Sequence, residues 1–308
     1  MNPRPFASLC ALIVLCLVAC SRQPSGTSPP AGSSPDGAAT IGLSISTLDN
    51  PYFVALRDGA RAEAQAQGLH LITVDAQNDA AHQISNVEDL IQRRVSVILL
   101  NPTDSDAVAN VVREANAAAI PVISLDRSVD GAPVRVRIAS NNVAGGEMAA
   151  RFLLKRLGDK GNLVELVGVP GSSAARERGE GFDEVIKSDP AVKVIAEQPA
   201  NFDRAQGLAV MENIVQRNRD IQGVFAQNDE MALGAATALD EAGLKDVAIV
   251  GFDATPDGLA AVKNGQLAGT IEQKPALIGK LGVDAAKALL EGRPVPASIA
   301  VPLTLISQ

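Results

Sequence analysis

The chain has 308 residues, of which 46% are hydrophobic and 20% charged, and its formal net charge is -8. This length allows a large core and favours two domains over one. The acidic balance argues against nucleic acid as a partner, because a phosphate backbone is bound by basic surfaces.

The first segment is typical of an export signal. Arg4 precedes an apolar run at 6–19 that is too short for a stable membrane anchor but fits a signal-peptide core. The sequence Leu-Val-Ala-Cys at 17–20 resembles the lipobox of bacterial lipoproteins, in which the cysteine becomes the acylated first residue. We predict a signal peptide at 1–19 and lipidation of Cys20; a plain signal peptide with an incidental cysteine is the alternative. The three cysteines, Cys10, Cys16 and Cys20, all precede the folded part, so we expect no disulfide.

Residues 20–39 are rich in Ser, Pro, Gly and Ala and predict a disordered tether. From residue 40, short apolar runs alternate with stretches whose apolar residues have helical spacing. Predicted strands are 41–46, 70–74, 95–100, 121–125, 163–167, 192–196, 221–226, 247–251 and 268–271. Predicted helices include 51–67, 105–118, 143–157, 175–187, 204–216, 231–242 and 276–290.

This alternation, with strands that are almost continuously apolar, predicts parallel sheets covered by helices on both faces. About 265 residues of such a pattern are too many for one sheet, so we expect an α/β fold with two doubly wound lobes. An extended segment at 135–142 breaks the pattern and predicts a first crossing between lobes. A second crossing is expected near residue 273.

Polar side chains follow four predicted strands, where ligands bind in open parallel sheets. They are Asp126 with Arg127, Asn228 with Asp229, Asp253, and Gln273. Carboxylates accept, amides donate and accept, and a guanidinium donates, which matches a polyol. The alternative is that these residues only cap the helices that follow.

Asn50-Pro51-Tyr52-Phe53 concentrates aromatics in a chain with no Trp, one Tyr and seven Phe. We predict that Tyr52 and Phe53 form half of a stacking site for a sugar ring. Asn50 also fits a helix N-cap, with Pro51 in the first turn, and both roles are compatible. Phe202 lies in a turn before a helix and is a further stacking candidate; packing onto that helix is the alternative.

Two arginines open the helix predicted at 175–187. Arg176 and Arg178 lie two residues apart and so point to different sides of the helix, which allows one of them to face a cleft. The segment around them lacks the Gly-Lys-Ser/Thr of a P-loop.

Enzyme and metal motifs are scarce in this sequence. His70 and His82 are the only histidines, and neither has ligand partners at metal spacing, so no metal or cofactor is expected. Nucleophile-elbow, dinucleotide and zinc-protease motifs are also missing, although a pair of carboxylates of glycosidase type stays open.

Seven strings in order resemble the periplasmic ribose-binding proteins of bacterial ABC transporters. They are STLDNPYFVALRDGA, LNPTDSDAVAN, ISLDR, SSAARERGEGF, FDRAQGL, VFAQNDEMALGA and VGFDATPDG. The resemblance covers nearly all of the chain from residue 41 onward.

The resemblance implies two Rossmann-like lobes joined by a three-segment hinge, the type I periplasmic binding protein fold. The first lobe would comprise 40–140 and 273–301, and the second 141–272 and 302–308. Sugar hydrogen bonds would fall on Asn50, Asp126, Arg127, Arg178, Asn228, Asp253 and Gln273, with stacking by Tyr52, Phe53 and Phe202. The resemblance thereby favours Arg178 over Arg176. Tyr52 departs from the family pattern, which usually has Phe. Its hydroxyl, if buried, needs a hydrogen-bond partner, which can be an extra sugar hydroxyl or a water, so a monosaccharide other than ribose is the alternative ligand.

The predicted function is capture of ribose or a similar monosaccharide and its delivery to an ABC permease by a periplasmic, lipid-anchored monomer that is not an enzyme. Another pentose, a hexose or a furanose is the alternative ligand, and a chemosensory role is compatible. An exported sugar-active enzyme is a weaker alternative. A sugar-responsive repressor is disfavoured, because a signal segment and a tether stand where a DNA-binding helix-turn-helix would be needed.

Overall fold

The computed structural model describes residues 39–308. The predicted signal peptide, Cys20 and the tether up to residue 38 lie outside the described residues. The strands are β1 (Thr40–Ile45), β2 (His70–Asp75), β3 (Val97–Leu100), β4 (Val122–Leu125), β5 (Val136–Ser140), β6 (Gly161–Val167), β7 (Val192–Pro199), β8 (Gly223–Ala226), β9 (Ala248–Asp253), β10 (Gly269–Glu272), β11 (Ser298–Val301) and β12 (Thr304–Ser307). The helices are α1 (Pro51–Ala66), α2 (Ala80–Gln92), α3 (Ala109–Ala117), α4 (Asn142–Leu157), α5 (Ser173–Ile186), α6 (Arg204–Arg217), α7 (Asp229–Glu241), α8 (Pro256–Lys263) and α9 (Pro275–Leu290).

The first of two sheets has the strand order β11-β5-β4-β3-β1-β2, and all its neighbours are parallel. Its inner strands β1, β3 and β4 are fully buried, as expected for strands covered by helices on both faces. Buried side chains of α1 and α9 pack together with one face of this sheet, and those of α2 and α3 with the other. We call this sheet and these helices the first lobe.

The second sheet has the order β12-β10-β9-β8-β6-β7. Its strands are parallel except for β12, which pairs antiparallel with β10 at the edge. Helices α6, α7 and α8 cover one face, and α4 and α5 cover the other. We call this sheet and these helices the second lobe, and the α/β prediction with two doubly wound lobes is confirmed.

Within residues 39–308 the chain passes between the two sheets three times. It does so between β5 and α4, between β10 and α9, and between β11 and β12. The edge strands β11 and β12 therefore follow each other in sequence but belong to different sheets.

The predicted strands and helices all occur, with shifts of a few residues at their ends. The largest shift is at α3, which begins at Ala109 rather than at 105. Asp104 Oδ1 accepts hydrogen bonds from the backbone N–H groups of residues 106 and 107, and this turn competes with the first helical turn. In the described part of the chain, no helix has the length and apolar character needed to cross a membrane.

Candidate functional site

The ten residues predicted to bind sugar surround one small cavity between the two lobes. They are Asn50, Tyr52, Phe53, Asp126, Arg127, Arg178, Phe202, Asn228, Asp253 and Gln273, and Ala174 completes the lining. A wider groove at the amino ends of β9 and β10 contains none of these residues.

The carboxyl ends of the parallel strands bring the polar residues together. Asp126 follows β4, Asn228 lies two residues after β8, Asp253 ends β9, and Gln273 follows β10. Arg178 comes from the second turn of α5 instead. The cavity therefore lies where open parallel sheets bind their ligands.

Asn50 and Asn228 act as helix caps and also line the cavity. Asn50 Oδ1 accepts from the N–H of Tyr52 at 2.9 Å, and Asn228 Oδ1 accepts from the N–H of Met231 at 2.9 Å. Asn228 Nδ2 also donates to the carbonyl of Phe202 at 3.1 Å. Capping and cavity lining thus coexist at both asparagines.

The phenol of Tyr52 is buried and donates to Asp126 Oδ1 at 2.7 Å. Burial raises the pKa of Tyr52 well above 10.0, and the nearby charges of Asp126 and Asp253 raise it further. The hydroxyl therefore stays protonated and occupies one acceptor position of Asp126. The ring meets Phe53 edge-on, with ring centres 5.1 Å apart, so the two aromatics present different faces to their surroundings.

Arg127 lies between two aromatic rings, one from each lobe. Its guanidinium carbon is 5.1 Å from the ring centre of Phe53 and 5.4 Å from that of Phe202. Nη1 donates to the carbonyl of Pro102 at 2.8 Å. Nε has no hydrogen-bond partner within residues 39–308 and is 3.7 Å from Asp126 Oδ2. Burial is the main cause of a lowered pKa for Arg127, to which the charge of Arg178 adds.

Arg178 is held by three groups of the second lobe. Nε donates to Asn142 Oδ1 at 3.0 Å, and Nη1 donates to the carbonyl of Gln227 at 2.6 Å. The guanidinium carbon lies 3.8 Å from the ring centre of Phe252. These contacts fix the planar donor fork in one orientation.

Asp253 and Gln273 form a hydrogen-bonded pair at the edge of the cavity. Gln273 Nε2 donates to Asp253 Oδ1 at 2.9 Å, and Arg178 Nη1 is 3.9 Å from the same oxygen. Burial raises the pKa of Asp253 well above its ordinary value; Arg178 opposes this effect and the charge of Asp229 adds to it. Gln273 Oε1 is buried and has no hydrogen-bond partner among the described residues.

The two lobes touch directly on one side of the cavity. Ser173 N–H donates to Ser105 Oγ at 3.0 Å, and Ser128 N–H donates to Ser173 Oγ at 2.8 Å. Nearby, Arg176 of the second lobe forms an ion pair with Asp130 of the first. Arg176 and Arg178 thus point to different places, with Arg176 at the interlobe contact and Arg178 at the cavity.

Several supporting residues escaped sequence reasoning. Asn142 and Gln227 orient Arg178, and Asn101 Nδ2 lies 3.4 Å from Asp126 Oδ2. Asn101 and Gln227 each directly follow a strand, β3 and β8, so the same strand-end criterion would have found both. Asn142 lies two residues after β5 at the start of α4, but the segment 135–142 was predicted only as extended, so this strand end was not recognised.

A periplasmic binding protein domain matches residues 41–294 of the chain. The ribose import binding protein RbsB of Bacillus subtilis is 48% identical over 297 residues, which cover 96% of both chains. The protein of the same name from Salmonella typhimurium is 51% identical over 267 residues, covering 87% of this chain and 90% of its own.

The fold also matches that of a solved ABC transporter solute-binding protein. A protein from Bacillus halodurans with bound myo-inositol superposes with a TM-score of 0.84 at 33% identity, covering 87% of this chain and 94% of its own. The family resemblance predicted from the sequence is confirmed.

Proposed function

The chain belongs to the periplasmic binding protein family, and from that premise we propose that it binds ribose or a similar monosaccharide and delivers it to an ABC import permease. The sugar occupies the cavity between the lobes. Its hydrogen bonds come from Asn50, Asp126, Arg127, Arg178, Asn228, Asp253 and Gln273, and Tyr52, Phe53 and Phe202 contact its ring.

Two buried polar atoms at the cavity that lack a hydrogen-bond partner within residues 39–308 give this proposal its main support. Arg127 Nε is a buried donor and Gln273 Oε1 is a buried acceptor, and neither has a hydrogen-bond partner among the described residues. Both residues line the same cavity. A buried polar group without a partner costs about 1–3 kcal/mol, and a ligand with hydroxyl groups, which donate and accept, removes that cost at both atoms.

The charges of the lining support a neutral ligand. Two carboxylates, Asp126 and Asp253, stand beside two guanidiniums, Arg127 and Arg178. A sugar needs both acceptors and donors but brings no charge that would upset this balance. The aromatic rings at the two walls supply the apolar contacts that sugar C–H groups require.

Ribose is the favoured ligand because relatives that cover most of the chain are named for ribose import. Structural relatives hold D-allose, a hexose, and L-arabinofuranose, the furanose form of a pentose, so another pentose, a hexose or a furanose is the alternative. The hydroxyl of Tyr52, placed against Asp126, is the feature of the cavity that bears most directly on this choice.

The remaining parts of the proposal concern location and motion. The protein is a monomer held in the periplasm through lipidated Cys20, it is not an enzyme, and a chemosensory role is compatible with its transport role. The two lobes, 40–140 with 273–301 and 141–272 with 302–308, move as bodies about the three crossings. Hinge closure of this kind is a known mode of ligand capture for periplasmic binding proteins.

The test is a thermal-shift panel of pentoses, hexoses and furanose ligands on the purified protein. Ligand at a hundredfold excess over Kd stabilises the fold by about 2.7 kcal/mol, and ribose should give the largest shift. Asp253→Asn and Arg178→Lys should lose that shift while remaining folded. Asp240→Asn and Arg151→Lys make the same changes at exposed positions and should keep it.

An unchanged ribose shift in both cavity variants would refute the site. The absence of a shift with every sugar would refute the binding function. Labelled ribose incubated with the protein should be recovered unchanged and in a one-to-one ratio, and chemical turnover would contradict the claim that the protein only binds.

A further inference from the structure

Asp229 is a buried carboxylate just behind the cavity. It begins α7 directly after Asn228, is fully buried, and does not line the cavity itself. Its oxygens nevertheless accept three hydrogen bonds. Thr255 N–H and Thr255 Oγ1 donate to Oδ2 at 2.7 and 3.1 Å, and Thr270 Oγ1 donates to Oδ1 at 2.6 Å.

These hydrogen bonds hold the turn that carries Asp253. Asp253 and Ala254 have φ angles of 112° and 54°, in the region that favours glycine. Backbone in this region costs free energy at non-glycine residues, so contacts around Asp253 and Ala254 must compensate for it. Thr255 follows the turn and is bound to Asp229, and Ala254 N–H donates to Thr270 Oγ1 at 3.2 Å. Asp229 thus holds Thr255, at the end of the turn, by direct hydrogen bonds. It holds Ala254, in the middle of the turn, through Thr270.

The sequence also leaves room for this carboxylate. A Cβ at Gly251 would lie 2.3 Å from Asp229 Oδ1, and a Cβ at Gly258 would lie 2.1 Å from Oδ2. Both glycines have ordinary backbone angles, because neither is among the residues with positive φ. These two positions therefore need glycine because a larger side chain would collide with Asp229, and not because the backbone conformation requires it.

We propose that Asp229 is a positioning residue for ligand binding, which sets the orientation of the Asp253 carboxylate by holding the turn at 253–255 through Thr255 and Thr270. This inference rests on the proposed function, since it takes Asp253 as a sugar contact.

The charge of Asp229 adds a second effect on Asp253. Burial raises the pKa of Asp229 to about 6, against the three hydrogen bonds, and Glu230 raises it further. At neutral pH the ionised Asp229 in turn helps to raise the pKa of Asp253, on which Arg178 acts in the opposite direction. Removing the charge of Asp229 should therefore lower the pKa of Asp253, so that sugar binding is lost on the acid side at a lower pH than in the unmodified protein.

The experiment compares four variants of the whole protein by calorimetric titration with ribose across pH. Asp229→Asn keeps the shape but has one acceptor oxygen in place of two, and Thr270→Val removes the bridging hydroxyl. Both should bind ribose about tenfold more weakly. Thr270→Ser restores the hydroxyl and should restore the affinity. Thr237→Val is the matched control, because its hydroxyl bonds to the carbonyl of Leu233 within α7.

The pH profile separates positioning from general loss of stability. The pH at which binding is lost on the acid side should move in Asp229→Asn, which removes the charge. It should move in the same direction but less in Thr270→Val, because losing the Thr270 hydrogen bond raises the pKa of Asp229 and so lowers its charge at a given pH. An unchanged affinity in both variants, measured where they are fully folded, would overturn the proposal. The same holds if Thr270→Ser is as weak as Thr270→Val.

Hydrogen exchange of the backbone at 253–255 gives a readout without ligand. Exchange there should be faster in Asp229→Asn and Thr270→Val than in Thr237→Val. If the unmodified protein binds no sugar, the proposed function fails, and unchanged exchange would then also refute the holding of the turn by Asp229. Faster exchange in that case supports the positioning of Asp253 for whatever ligand the cavity takes.

Discussion

Replacing Glu165 with glutamine should make the protein more stable at pH 8 but not at pH 4.5. Glu165 lies on β6, the strand next to the edge strand β7 of the second sheet. It is 1% exposed and accepts a hydrogen bond from Gln227 Nε2 at 2.8 Å. Burial raises its pKa from 4.5 to about 7; Gln227 opposes this rise, while the charges of Glu197 and Asp183 add to it.

The sign and size follow from proton linkage. Because the pKa is higher in the folded than in the unfolded chain, the folded state binds more protons between pH 4.5 and about 7. Stability is therefore greatest below that interval and falls as the pH rises through it. Each pH unit costs about 1.4 kcal/mol, so the full loss at pH 8 is about 3 kcal/mol. Glutamine resembles the protonated acid and avoids the loss.

Urea denaturation of both proteins at pH 4.5 and pH 8 measures this effect. The advantage of Glu165→Gln should grow by about 3 kcal/mol between the two pH values. The raised pKa of Asp229 acts equally in both proteins and cancels in the difference. Glu180→Gln on the exposed side of α5 is the control and should show no such growth. An advantage that stays constant with pH, or that shrinks, would refute the reasoning.

Three further changes test the cavity and its supports. Tyr52→Phe removes the donor to Asp126 Oδ1, so the free energy of unfolding of the ligand-free protein should fall by about 1–3 kcal/mol. The order of ligands by thermal shift should change in favour of sugars with a hydroxyl that reaches that oxygen. An unchanged order would contradict a role of Tyr52 in specificity. Gly146→Ala places a Cβ 2.0 Å from a backbone carbonyl oxygen of α5, so the free energy of unfolding should fall by about 3 kcal/mol, measured by thermal unfolding. Gly179→Ala is the control and should show a smaller loss, because its Cβ has no contact shorter than 3.3 Å. Arg176→Ala breaks an exposed ion pair between the lobes, so the rate of ligand release measured by stopped flow should increase. The free energy of unfolding should change by less than about 1 kcal/mol. An unchanged release rate would show that this contact does not hold the lobes closed.

Periodicity and strand-end chemistry predicted much of this molecule from sequence. The buried parallel strands carry their own signal, since near-continuous apolar runs such as 97–100 fit few other structures. The polar residues after those strands could be named in advance, because the carboxyl ends of all parallel strands in a sheet face one edge. The pairing of Tyr52 with Asp126 could not be named, since it joins residues 74 positions apart that no local pattern connects.

The sequence was least informative at β5 and at the edge strands β11 and β12. Segment 135–142 was predicted only as extended, and β11 and β12 were not predicted as strands at all. Each of the last two has four residues, with Pro302 between them, so neither periodicity nor length distinguishes them from loop. Their strand character comes from the neighbours they pair with, β5 and β10, and so appears only in the assembled fold.

The placement of β11 and β12 also bears on how the protein is made. Each sheet receives an edge strand from residues 298–307, although most of its other strands are synthesised far earlier. Both sheets therefore gain these edge strands almost together, after most of their other strands have been made. Removal of the residues after 297 should for the same reason expose an unpaired edge in both sheets at once.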